Sequence, residues 1–231
     1  MIDPSHILIS TLDGINQLKE KNRELSVLLD NLSTFGNLVL VGGAIRDYSY
    51  NKTPRDLDII IESKYSDFDE ILNCFNTRKN RFGGYKIFLD ELEIDLWSFS
   101  KNWAFQNKLL DPKFENITKG SFYNFDALAI NINTKEIDVS VFIDSLRENE
   151  LDITLDEEYI ELNPTPEINI MRACYINKYW GLELSNKVLK YIKNWVDKIN
   201  DPVELLTRAE IKHYGKKRIN EEDYLKILTG T

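Results

Sequence analysis

The chain has 231 residues, 42% of them apolar and 29% charged, which suits one sizeable folded domain or a domain with a small appendage. No apolar run approaches the roughly 20 residues that cross a bilayer, and the opening M-I-D-P-S-H-I-L-I-S lacks the basic start and long apolar core of a secretory signal, so a cytoplasmic protein with no membrane partner is expected. The net charge of −9 opposes a strong general affinity for nucleic acid, and with 2 cysteines and 2 histidines far apart a zinc site is not expected.

From Leu12 to Leu32, apolar residues fall at helical spacing with charges between them, which predicts one leading amphipathic helix. Leu38 to Val41 is short and wholly apolar, as a buried strand is, and it runs into Gly42-Gly43 and a helical turn carrying Arg46 and Asp47. A second apolar run, Leu57 to Ile61, is entered through Arg55-Asp56-Leu57-Asp58. Side chains two apart on a strand share a face, so Asp56 and Asp58 bring two carboxylates together. Such a pair needs a cation between its members, and Mg²⁺, which takes one or two carboxylates plus water and phosphate oxygens, is the natural one. A glycine turn beside it lets backbone N–H groups approach a polyphosphate, and Arg46 and Arg55 can add charge-assisted bonds.

Further on, Asp67 to Phe75 reads as a short helix with acidic residues near its start, and Phe82-Gly83-Gly84 as a turn. Tyr85 to Leu89 and Leu92 to Trp97 read as a hairpin across Asp90-Glu91, with Glu93 and Asp95 on one face of its second strand. Asn102 to Leu110 is a short helix or the lining of a cleft, and Cys74 and Cys174 read as small buried residues. Glu136 to Leu146 alternates in part and predicts a final strand or hairpin, and Arg147 to Pro166 is acidic and reads as a connector. Helices follow: Glu167 to Trp180 stopped by Gly181, Asn186 to Ile199 capped by Ser185, one from Asp201-Pro202 to Gly215, and Glu221 to Leu228 opened by Asn220. The domains expected are thus 1–150, a connector 151–166, and a helical portion 167–231.

G-G-A-I-R-D followed by R-D-L-D-I resembles the signature of the class II tRNA nucleotidyltransferases (CCA-adding enzymes) and bacterial poly(A) polymerases, within the DNA polymerase beta-like nucleotidyltransferase superfamily. The resemblance implies an α/β (α+β) head with a mixed sheet flanked by helices, then a small helical, neck-like portion. It implies that Gly42 and Gly43 hold the triphosphate of an NTP and that Asp56 and Asp58 bind two Mg²⁺ ions. A third carboxylate on a neighbouring strand, Asp95 or its rival Glu93, helps bind metal and can take the acceptor's proton.

Two family elements are altered. The family's R-R-D falls on Gly120, Ser121 and Phe122, leaving Asn124 and Asp126 as nearby polar residues, and the base-selecting E-D-x-x-R puts its Asp and Arg on Pro166 and Asn169. Arg172 keeps a family position at which it could face the nucleotide or pack as a helix-surface arginine. At this length the resemblance implies a head and part of a neck, and the family's tRNA-gripping body and tail are not expected in these 231 residues. A Mg²⁺-dependent nucleotidyltransferase is therefore expected, acting on an RNA or tRNA 3′ end in preference to a protein or small-molecule hydroxyl, in a role of the toxin or defence type. The alternative is a catalytically silent nucleotide-sensing or partner-binding module. Lysines and arginines from Lys187 to Arg218 form either a weak nucleic-acid face or a solvated helix surface.

Overall fold

A computed structural model describes residues 3–80 and 83–229. Phe82, expected in the turn with Gly83 and Gly84, lies outside the described residues. Contacts divide the chain into a first unit, residues 1–121 and 126–143, and a second, residues 122–125 and 144–231. The second unit thus starts before the expected boundary at 150 and takes in a short earlier segment.

The expected leading helix is two, α1 (Pro4–Lys21) and α2 (Arg23–Ser33). Asn22 divides them: it lies in extended backbone, φ −126° and ψ 101°, donates its N–H to the Leu18 carbonyl and accepts from the Leu25 N–H on its side chain. One polar residue thereby closes one helix and caps the next. Strand β1 (Asn37–Val41) leads through Gly42 into α3 (Gly43–Ser49), and β2 (Asp56–Glu62) returns. After β2 the expected helix shrinks to α4 (Asp69–Leu72), and the exposed Asn76–Lys79 pairs as strand β3. Cys74, expected to be buried, is exposed between them.

The expected hairpin forms as β4 (Tyr85–Leu89) and β5 (Leu92–Ser98), with Leu89 opposite Leu92. The short helix α5 (Trp103–Gln106) puts Phe105 in the core. Strand β6 (Ala129–Asn131) is followed by β7 (Ile137–Asp138), only two residues long, and then by a helix, α6 (Ser140–Glu148), where a strand or hairpin was expected. Buried positions at Val139, Phe142 and Ser145 fall three apart, the helical period that partial alternation concealed.

Among the described residues, the strands of the first unit form one mixed sheet of order β3-β4-β5-β2-β1-β6-β7. Only β2 and β5 run parallel; the other pairs are antiparallel. Leu38, Leu40, Leu57, Ile59, Ile61, Ile94 and Leu96, which alternate with the residues of the other face, are fully buried. Helices α2 and α3 pack on β1, α3 also on β2, and α1 on α3. On the other face Val39, Ile60 and Ala129 join Phe99, Phe105, Phe114 and Ile117 in a buried cluster flanked by Val41 and Trp97. The head fold expected from the sequence, a mixed sheet flanked by helices, is the fold observed.

The second unit is mainly helical. Its elements are β8 (Glu150–Leu151), α7 (Glu157–Ile160), α8 (Pro166–Trp180), β9 (Glu183–Leu184), α9 (Asn186–Val196), α10 (Pro202–Tyr214) and α11 (Glu221–Thr229). The stretch expected to be a connector contributes the end of β8, a bridge from Ile153 to Tyr123, and α7. Gly181 and Gly215 end α8 and α10 in the left-handed conformation, at φ 74° and 73°. Ser185 caps α9 as expected, but the helix stops at Val196 short of the expected Ile199, and Leu189 on it is exposed. Cys174 is buried in α8, where loss of hydration raises its thiol pKa to about 12. No helix among the described residues is long and apolar enough to cross a membrane.

Candidate active site

The site candidates of the first unit gather where β1 and β2 meet the Gly42 turn. Val41 pairs with Asp58 across the antiparallel ladder, so the turn that follows Val41 opens beside the Asp56-Leu57-Asp58 segment. Gly42 has φ 67°, a left-handed value that side chains rarely adopt, and a Cβ built there would meet nothing within 4 Å. The turn is open on that side. Gly43 is tighter, since its Cβ position lies 3.3 Å from a guanidinium nitrogen of Arg46.

Parallel pairing of β2 with β5 sets Asp56 beside Glu93 and Asp58 beside Asp95. All four carboxylates therefore project from one face of the sheet, as the two-residue period requires. The cations around them are engaged. Arg55 donates Nε to Asp56 Oδ2 at 2.9 Å and a terminal nitrogen to the same oxygen. Lys86, on β4 directly opposite Asp95, donates Nζ to Asp95 Oδ2 and to Glu93 Oε2, each at 3.0 Å. Burial works against the ammonium's charge, but the two carboxylates outweigh it and raise the Lys86 pKa above that of an ordinary lysine.

Arg46, expected near the phosphates, lies with its side chain only 11% exposed, 2.8 Å from Asp126 and 3.8 Å from Asp47. Asp126 thus pairs with the signature arginine from 80 residues away in sequence. Asn124, the other polar residue near the altered R-R-D position, belongs to the second unit, where it bonds the backbone of Glu150 and Asp152. Arg172 is half-buried on α8, also in the second unit. Pro166 opens α8, and Asn169 is buried in its first turn. A groove of about 410 Å³ in the second unit, bordered by Lys187, Lys190, Tyr191 and Trp195, carries none of the site candidates.

The basic residues of the C-terminal helices are largely partnered. Lys193 pairs with Asp197, Arg208 with Glu204, Lys217 with Glu221 and Lys190 with Glu157, while Lys187 donates to the carbonyls of Ile153 and Leu155. They form a solvated, ion-paired surface.

The donor set fits a hard divalent cation. Adjacent strands lie about 4.8 Å apart, a spacing across which carboxylates such as Asp58 and Asp95 can share one ion. Among the described residues no group of three or more His, Cys, Asp or Glu is placed to hold a metal. Mg²⁺ asks for only one or two carboxylates and completes its shell with water and phosphate oxygens. Asp56 and Asp58 are such a pair, and on β5 Asp95 adjoins Asp58 while Glu93 adjoins Asp56.

Lys86 is a neighbour of these carboxylates that sequence reasoning passed over. Its signal was present in the hairpin: a turn at Asp90-Glu91 with Leu89 opposite Leu92 carries the register back to Lys86 opposite Asp95.

The mixed sheet flanked by helices matches the head fold of solved CCA-adding enzymes. The chain is similar to a Thermotoga maritima CCA-adding enzyme complexed with tRNA(CCA), with a TM-score of 0.65 and 19% identity over 99% of this chain and 53% of that one. It is similar to a CCA-adding enzyme in complex with CTP, with a TM-score of 0.67 and 18% identity over 100% of this chain and 55% of that one. A tRNA nucleotidyltransferase complexed with a primer tRNA and an incoming ATP analog matches with a TM-score of 0.57 and 20% identity over 84% of this chain and 56% of that one. The chain spans about half the length of these solved structures. No protein-family model matches the sequence, and comparison with curated proteins finds no match.

Proposed function

We propose that the protein is a Mg²⁺-dependent nucleotidyltransferase that moves an NMP from an NTP to an acceptor hydroxyl, with an RNA 3′ end as the favoured acceptor over a protein or small molecule. The observation that carries this reading is the alignment of Asp56, Asp58 and Asp95 on one sheet face beside the open Gly42 turn. The similar solved structures, which hold tRNA, CTP or an ATP analog, support the choice of NTP and RNA.

The triphosphate would lie against the Gly42-Gly43 backbone, with Arg55 the more exposed of the two signature arginines. Arg46 and Asp47 would fix the turn from within, through Asp126. Asp56, Asp58 and Asp95 would hold Mg²⁺, which when bound screens the triphosphate and favours ionisation of the acceptor hydroxyl. The acceptor oxygen forms a bond to the α-phosphorus as the bond from that phosphorus to the bridging oxygen breaks. Pyrophosphate leaves, and the hydroxyl proton passes to a carboxylate, for which Asp95 is the candidate.

Incubation with each labelled NTP, Mg²⁺ and either total tRNA or cell lysate tests the reading. Label should move to an acceptor, and the Asp56→Ala and Asp58→Ala variants should lose the transfer; the gel position of the product identifies the acceptor class. A second reading, a silent nucleotide-sensing module, is supported by Pro166 and Asn169 standing where the family has its base-selecting pair. It predicts nucleotide binding without transfer.

A further inference from the structure

Asp56, Asp58, Glu93 and Asp95 crowd one sheet face, and like charges on neighbouring positions repel. Arg55 answers part of that charge from the residue next to Asp56. Lys86 answers another part, on Glu93 and Asp95, from a different strand. Because β5 lies between β4 and β2, Asp95 is flanked by Asp58 on one side and by Lys86 on the other. The ammonium touches Asp95 and Glu93 equally, 3.0 Å from each, and Glu93 is the more exposed of the two acids, at 49% against 23%.

We propose that Lys86 is an internal counter-ion that competes with the divalent cation for Asp95 and withdraws onto Glu93 when the metal binds. The inference rests on the reading of Asp56, Asp58 and Asp95 as the metal mount, and it adds a part for each neighbour. In this proposal Glu93, the more exposed acid, is the resting place of the lysine, and Asp95 is the metal ligand. Lysine suits the task, being a compact charge on a flexible stem with rotatable donors; an arginine fork would bind both carboxylates more rigidly. Release of Lys86 would free Asp95 for the metal, and Lys86 is a positioning residue for that mount.

The probe is Mn²⁺, with its free concentration read by electron paramagnetic resonance in the full-length wild type and in the Lys86→Met, Lys86→Gln and Asp58→Ala variants. Removal of a unit positive charge near a divalent site should tighten binding on the order of tenfold in both Lys86 variants, and Asp58→Ala should weaken it. In parallel, the Lys86 ammonium signal in a ¹H–¹⁵N spectrum of the wild type should shift with added Mg²⁺ at the binding midpoint. This arm does not depend on any variant folding. Wild-type binding with equal or weaker binding by the Lys86 variants, or a Lys86 signal indifferent to saturating Mg²⁺, overturns the competition and leaves the metal mount standing. Absence of Mn²⁺ binding in the wild type and the Lys86 variants alike removes the metal mount and this inference with it.

Discussion

Along β2, Asp56, Asp58 and Ile60 share one face of the sheet, yet their surroundings differ sharply. Ile60 is 4% exposed inside the cluster of Val39, Phe99 and Phe105, whereas the Asp56 side chain is 25% exposed against Arg55. The apolar end anchors the strand, and the charged end is held in place by it. Crowded carboxylates cost stability locally, and a well-packed neighbour on the same strand can absorb that cost.

Each end can be broken separately. Asp58→Ala should lower label transfer by roughly 100-fold to 10,000-fold, because a metal mount supplies several kcal/mol of transition-state stabilisation. The same variant should melt in urea at or above the wild-type midpoint, since one member of a repelling set is gone. Ile60→Ala should do the reverse, with a loss of about 2–5 kcal/mol of folding free energy in urea titration and transfer by the folded fraction within a few-fold of wild type. If Asp58→Ala unfolds the chain, the division of labour along β2 is wrong.

Behind the same sheet, Gly14 of α1 meets Tyr48 of α3, and a Cβ at Gly14 would lie 2.2 Å from the ring. Gly14→Ala should cost about 1–3 kcal/mol by overpacking, measured by the same titration, and leave Mn²⁺ affinity unchanged.

The smallest effect concerns a second lysine–acid cluster, which serves as a control for Lys86. Lys79 on β3 contacts Asp67 and Asp69, and Asp67 also accepts from Tyr85. The bond from Lys79, with help from the Asp69 N–H and the Tyr85 hydroxyl, holds the Asp67 carboxyl well below the usual carboxylate range. A depressed folded pKa means a contribution that is present above the unfolded value of about 4 and lost as pH falls further, through the folded value. Carboxyl NMR should find Asp67 ionised below that pH, and Mg²⁺ should not change its titration.

The strands and the turn were readable because strand alternation and a glycine turn are local signals. Leu38–Val41, Gly42-Gly43 and Asp56-Leu57-Asp58 each announce their own geometry, and the hairpin carried enough alternation to put Glu93 and Asp95 on one face. The helix stops at Gly181 and Gly215 were equally local, each being a left-handed position. What escaped depended on distant partners. Asp126 acquires its role only when the chain brings it to Arg46, and β3 is a strand because β4 pairs with it, although Asn76–Lys79 has no apolar pattern. The break at Asn22 was hidden because the hydrophobic spacing continues across it. The helix α6 was hidden because a short apolar stretch fits a strand as well as a helix.

The two cysteines give the molecule a built-in clock. Cys74 faces solvent, while the Cys174 thiol is shut inside α8 and resists ionisation. A thiol reagent should therefore titrate one group per folded chain at neutral pH, and the second only as the helical unit opens. The delay of that second equivalent would report how often the C-terminal helices come apart, with no engineered label.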